Sequence, residues 1–269
     1  MKNSKKKSKE NPVGIFAGFA LLSKAQWDKA KFISDLKKKW GLDAVVNNDG
    51  WDKRQDTLAF EVGNMIAMVG FASVPIPNAE AEENAKYNYV WNKAVEMAKA
   101  HKAHLVVAVV GKEKNIIEKG KLFSKVISCL CDQDTVTGIY VNGTVLEPQF
   151  YKDYAEVLKD GELPIMVWIW FGLHPTETFR VCCYTNGLNV FGKPEMEILN
   201  ADANPNDVRD FLIDMTYYVI DADVTLKGGE KIGFSDNDVH TITRSKGVFL
   251  PGMTLKISYE PKKPFDEED

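Results

Sequence analysis

Apolar positions recur along this chain with two periods, and each period predicts an element. Leu163 to Leu173 is apolar on both sides of an extended chain. Ile165, Val167, Ile169 and Phe171 point one way, and Met166, Trp168 and Trp170 point the other. A strand of this kind has to be covered twice, by helices, by another sheet or by a partner. His174-Pro175-Thr176-Glu177 then carries turn chemistry, and Thr178 to Val190 reads as the return strand, interrupted by the polar glycine step Asn186-Gly187. The other predicted strands are Val13–Leu22, Thr57–Val62, Met65–Ser73, the aliphatic run His104–Val110, Gly138–Val141, His240–Thr243 and Leu255–Tyr259. Gly63-Asn64 marks a hairpin between the second and third of these.

Helical spacing appears in Trp27, Ala30, Ile33, Leu36 and Trp40, which predicts a helix from Ala25 to Trp40. Ser23 and Gln26 form a capping box at its start, and Gly41 closes it. Pro75-Ile76-Pro77 stops the sheet, and Asn78 caps a long helix from Ala79 to His101. Further helices are predicted over Asn115–Cys131, over Pro148–Leu158, and from Asn204-Pro205-Asn206-Asp207 to Ile220. The order β-α-β-β-α-β is met once from Val13 and again from Gly138. This predicts an α+β fold of two ferredoxin-like βαββαβ halves, in an arrangement that allows one shared sheet. The expected boundaries are a basic tail over 1–12, a first half over 13–111, a connecting helix within 112–137, a second half over 138–260 and an acidic tail over 261–269. A single larger α+β sheet is the alternative.

Composition narrows the partners. The 269 residues carry a formal net charge of -4 and a pI of about 5.7, which argues against nucleic acid, because neutralising phosphates needs a basic face. No run approaches the ~18 apolar residues of a membrane span. The apolar stretch after the N-terminal lysines resembles a secretory signal, but the capping box behind it favours a strand feeding a helix. Cys129/Cys131 and Cys182/Cys183 lack CxxC spacing, so buried free thiols in a reducing cytoplasm are expected, with no metal and no cofactor.

The candidate chemistry is sparse. His101 and His104 form H-x-x-H, but a strand begins at the second, so capping and strand-edge roles compete with metal binding. Gly111-Lys112 sits where a phosphate loop would sit, without the glycines or the Ser/Thr of one. Glu61 on a strand could serve as a general base only with a raised pKa. Tyr184, Asn186 and Asn189, with Gly187 and Phe191, either line a pocket or groove or mark a β-bulge. Tyr87, Tyr89 and Trp91 either anchor a partner or pack the core.

Five stretches taken together carry a resemblance. They are Gly14-Ile15-Phe16 with Ala20-Leu21-Leu22, Pro75-Ile76-Pro77, Asn88-Tyr89-Val90-Trp91, His101 to Val107, and Tyr184-Thr185-Asn186-Gly187-Leu188 with Phe191 to Glu195. The chain resembles a bacterial family known as domain of unknown function 4261, over most of its length. That resemblance implies a soluble bacterial protein with no assigned activity, and it carries over no catalytic residue. The expected function is a non-enzymatic protein-binding factor, such as an immunity or accessory protein of a toxin or secretion system. The alternative is a small-molecule-binding domain or enzyme, with a pocket where the halves meet and Glu61, His104, Tyr184 and Asn186 as its candidates. A homodimer held by the Trp168/Trp170 strand is compatible with either.

Overall fold

The computed structural model describes residues 13–44, 57–235 and 238–260. Both charged tails and the Asn47–Gly50 loop expected from sequence lie outside them. Two compact units make up the chain, one running to Trp170 and one starting at Phe171.

The first unit runs β1 (Phe16–Leu22), α1 (Lys29–Trp40), β2 (Thr57–Val62), β3 (Met65–Ala72), α2 (Glu80–Ala85), α3 (Ala94–Ala100), β4 (Ala103–Gly111), α4 (Ile116–Leu130), β5 (Val136–Val141), β6 (Thr144–Leu146), α5 (Pro148–Glu156) and α6 (Ile165–Trp168). Its six strands lie in the order β2-β3-β4-β1-β5-β6, antiparallel throughout. Strand period 2 sends Phe16, Ala20, Leu105, Val107, Ala67 and Phe60 to one face. There α1 packs Phe32 against Phe60, with ring centroids 6.5 Å apart, and α4 packs Phe123 against Phe16 at 5.8 Å. On the other face, α2 and α3 bury Leu21, Tyr140 and Val145 against Ala81, Ala85, Ala94 and Ala98. That cover reaches only the β1–β5–β6 side.

The second unit is β7 (Trp170–Pro175, whose first residue belongs to the first unit), β8 (Val181–Asn186), β9 (Met196–Ala201), α7 (Pro205–Asp221), β10 (Lys231–Ser235), β11 (Asp238–Lys246) and β12 (Met253–Ile257). Its sheet order is β10-β11-β12-β9-β8-β7, with β9 and β12 parallel. Asn204 caps α7 by accepting from the Asn206 amide at 2.8 Å, as its sequence foretold, and the helix buries Val208, Leu212, Met215 and Val219.

The fold is α+β, as expected. The finer expectations are corrected. The strands form two separate sheets, so the halves share none. In the first sheet β4 lies between β1 and β3, antiparallel to both, whereas a ferredoxin-like half sets β1 beside β3. The helix expected to connect the halves, α4, lies on the first sheet, and β5 and β6 extend that same sheet.

Two elements also differ locally. The long helix expected from Ala79 to His101 breaks between Lys86 and Lys93. There the Asn88 carboxamide oxygen accepts from the Val90 and Trp91 amides, both at 2.8 Å, and offers the backbone an alternative to the helix. Leu163 to Leu173 is not one strand. A helical turn, α6, closed by an Ile169 amide bond to the Ile165 carbonyl, precedes β7. The double burial expected of it holds for both tryptophans, with Trp168 3% and Trp170 6% exposed. No open tryptophan face is therefore left to hold a homodimer.

Candidate functional site

In the first sheet, no helix among the described residues covers the face opposite α1 and α4 over β2, β3, β4 and the start of β1. Its outward side chains fall into cross-strand rows. One row runs Ala59–Met68–Ala108–Ala17, a second Thr57–Gly70–Val106–Phe19, and a third Glu61–Ile66–Val110. Val106 and Ile66 are 38% and 37% exposed, and the others in these rows are half-buried except Glu61, which is exposed. The solvent side of an antiparallel sheet ordinarily reads polar. Among the described residues of these rows, Glu61 is the one charged residue, at the edge strand β2.

Glu61 therefore lies on the rim of this face. His104 is six residues along β4 from Val110, its row-mate, so the two stand ~20 Å apart at ~3.3 Å per residue and do not converge. His104 is buried, donates Nδ1–H to the Val74 carbonyl at 2.8 Å and meets Phe19 edge-on, with ring centroids 5.7 Å apart. Burial pushes its pKa below the usual imidazole value, against the opposing pull of the Val74 bond. His101 donates Nδ1–H to Ala98 and accepts the Ile76 amide on Nε2 at 2.8 Å. With both ring nitrogens engaged, H-x-x-H tethers the Pro75–Pro77 crossing to the sheet. Trp91 packs against the α2–α3 cluster, half-buried, while Tyr87, Tyr89 and Val90 beside it stay exposed.

In the second unit, Tyr184, Asn186 and Asn189 fall at one place, the end of β8. Asn186-Gly187 is neither mid-strand nor a bulge. Gly187 has φ 134°, open to glycine alone, and turns the chain into a 3₁₀ turn over Leu188–Phe191. Glu195, which sequence reasoning passed over, holds that turn. Its carboxylate accepts from the Gly187 amide (2.8 Å), the Asn189 amide (3.2 Å) and the Thr185 hydroxyl (2.7 Å). Burial pushes Glu195 up to about 7, against the lowering pull of those donors.

Two residues along, Glu197 is fully buried. It accepts the Val248 amide (3.1 Å), the Phe249 amide (3.0 Å), the Thr254 hydroxyl (3.1 Å) and Lys256 Nζ (2.9 Å). Lys256 also donates to the Lys246 carbonyl at 3.0 Å and to Thr254 at 2.5 Å, so all three of its protons are placed. Burial raises the Glu197 pKa, but Lys256 and the two amides outweigh it, and the carboxyl lies below its usual range. Phe249, on the turn held in this way, stacks on Tyr184 (5.1 Å, 10°) and on His174 (4.9 Å, 20°). The two carboxylates are acceptors with full complements of donors, which makes them clasps.

The cysteines are free and buried, and burial pushes the Cys129 and Cys183 thiols up to about 12, far from a reactive thiolate. Among the described residues no group of three His, Cys, Asp or Glu could hold a metal ion, and no helix is long and apolar enough to cross a membrane.

These features define an α+β protein with a half-covered antiparallel sheet and a second sheet clasped by two carboxylates. The family model described as Domain of unknown function (DUF4261) matches residues 184–258. It starts at Tyr184 and takes in Glu195, Glu197, Phe249 and Lys256, while the first-unit stretches of the resemblance lie outside it. No curated protein and no solved structure matches the chain.

The residues sequence reasoning missed are the row Ala17, Met68 and Ala108 and the pair Glu195 and Glu197. The row had a signal, because Ala103 to Val110 is apolar on both sides. Glu197 had none, since its role comes from a turn 51 residues away in sequence, whereas Glu195 takes its donors from the neighbouring Thr185–Asn189 turn.

Proposed function

We propose that this protein is a non-enzymatic protein-binding factor and that the open face of the first sheet is its docking surface. The observation that supports this reading is an apolar face, with Glu61 alone charged at its rim among the described residues, on a sheet whose other side is already packed. Contiguous patches of this kind on a folded chain mark interaction sites. The candidates for chemistry support it by being spent elsewhere: His101 and His104 are tethers, Glu61 stands on an exposed rim, and Glu195 and Glu197 are clasps. Four unpaired buried cysteines fit a reducing cytoplasm. An immunity or accessory role is the form of this reading that suits an acidic chain.

The test is affinity purification of the tagged full chain from its native host, wild type beside Met68→Lys, with circular dichroism to verify folding. A companion recovered with wild type and lost with the variant supports the reading. A lone, monodisperse protein in both preparations, with no self-association, overturns it.

A further inference from the structure

We infer that the open sheet face is where two copies of this chain meet, as a reversible two-fold dimer. The inference rests on the protein-binding reading above and names the partner.

Charge is the first argument. Across the three rows, Glu61 is the one ionisable side chain. A charged partner surface would be desolvated there without a counter-charge, which is unfavourable. The cover must itself be apolar and uncharged, and this face is such a surface.

Shape is the second. A two-fold axis parallel to the strands and midway between β3 and β4 leaves each row in place and exchanges its two sides. Met68 then faces Ala108 of the second copy, Gly70 faces Val106, and Ala17 faces Ala59. Large side chains meet small ones in the first two pairs, Ile66 meets Val110 in the third row, and the alanines let two sheets approach to the usual ~10 Å. Strands related in this way run nearly aligned, the common geometry of stacked sheets. Glu61, at the edge, stays in water. A self-complementary patch of this kind is what an isologous interface requires.

Area sets the strength. Each outward position covers ~32 Å² of sheet, so the nine positions without Glu61 and without Phe19, which packs against the α2–α3 cluster, give ~290 Å² in projection and roughly 800 Å² of accessible surface over two copies. That is below the ~1,000 Å² of a specific, stable interface and about half of a standard one. The dimer should therefore be weak and fast-exchanging, as encounters of this size are.

The experiment is sedimentation of the full chain over ~5–500 µM. Wild type should pass from monomer towards dimer, and Val106→Lys should stay monomeric at the concentration where wild type is half dimeric. If Val106→Lys does not fold, Ile66→Lys, at an equally exposed position, takes its place. Tyr218→Lys, on an exposed position of α7, should associate like wild type. The double variant Ala17→Cys/Ala59→Cys should give a covalent dimer with a short bis-maleimide, and neither single variant should. In one chain these positions lie three strands apart, ~14 Å.

A monomeric wild type across the range, or a Val106→Lys that dimerises like wild type, overturns the inference. If wild type is monomeric yet Val106→Lys loses a different protein, only this inference falls. If neither association is found, the protein-binding reading falls with it.

Discussion

Removing Glu197 should open the second unit from the inside. The residue is 0% exposed, and four groups donate to it from two parts of the chain. Glu197→Ala strands the Lys256 ammonium, whose side chain is 14% exposed, and leaves two amides and a hydroxyl without an acceptor. Breaking a buried ion pair from one side costs about 3–5 kcal/mol. Glu197→Gln keeps a carbonyl for the two amides but aims an NH₂ at Lys256 and Thr254, so roughly 2–4 kcal/mol of the loss should remain. Tryptophan fluorescence cannot isolate the second unit, since Trp170 opens β7 while Trp27, Trp40, Trp91 and Trp168 lie in the first, so amide hydrogen exchange has to report it. A loss of ~3 kcal/mol corresponds to opening roughly 150-fold more often. Peptides spanning β9, β12 and the Val248–Phe249 turn should lose protection on that scale. The pH dependence has a fixed sign. The Glu197 carboxyl lies below its ordinary value of 4.5, so its contribution is complete above that pH and is lost as pH falls through the lower folded value. Wild type should lose protection in acid, and Glu197→Gln should not respond over that window. Protection within threefold of wild type in Glu197→Gln would refute the assignment of Glu197 as the clasp.

Three further outcomes follow from the same geometry. Glu195 is raised from 4.5 to about 7, so its protonated form is favoured by the fold, and second-unit protection should weaken as pH rises from 4.5 to 7 and level off above; Glu195→Gln should flatten that dependence in hydrogen exchange. His104 is lowered from 6.5, so the stability it confers is complete above pH 6.5 and lost as pH falls through its folded value; its ring resonances in an NMR titration should show a midpoint below 6.5. A Cβ on Gly172 would lie 2.1 Å from the Tyr184 ring, so Gly172→Ala should destabilise the unit by about 1–3 kcal/mol in urea titrations followed by tyrosine circular dichroism, and Tyr184→Ala should relieve most of it.

Local rules in the sequence reached most elements of the first unit. Gly41 closes α1 with φ 66°, Asn115 caps α4, and β2 and β3 meet through Gly63-Asn64. The helix start at Asn204-Pro205 was legible for the same reason, since a cap needs only its neighbours. Asp28, and not Ser23, caps α1, because Thr135 and Gln133 hold the preceding chain to the end of α4 and so set where the helix can begin. Strand β9 was missed because Glu197 breaks its apolar pattern, and that carboxylate is satisfied by donors more than fifty residues away in sequence. Sheet order was also out of reach. Whether β4 lies beside β3 or at the flank depends on which helices cover which face, and the break at Asn88 decides how far α2 and α3 reach.

The stretches Leu163–Leu173 and Ala103–Gly111 present the same pattern, apolar on both sides, and meet opposite ends. In the first, Trp168 donates Nε1–H to Ser124 at 2.8 Å and packs near Phe16, so the chain curls into a helical turn that satisfies both faces at once. In the second, cross-strand pairing on both sides fixes β4 as an extended strand, and only the face towards α4 is covered beyond His104. Val106, Ala108 and Val110 lie on the outward side of β4, where threonine or lysine would serve a solvent-facing strand as well. Their character is a burden for a free monomer, which exposes it to water, and a gain for a chain that meets a matching surface. Two of its three rows set a large residue of β3 or β4 against a small one of the other strand, Met68 against Ala108 and Val106 against Gly70, so a second copy offers those rows a matching surface.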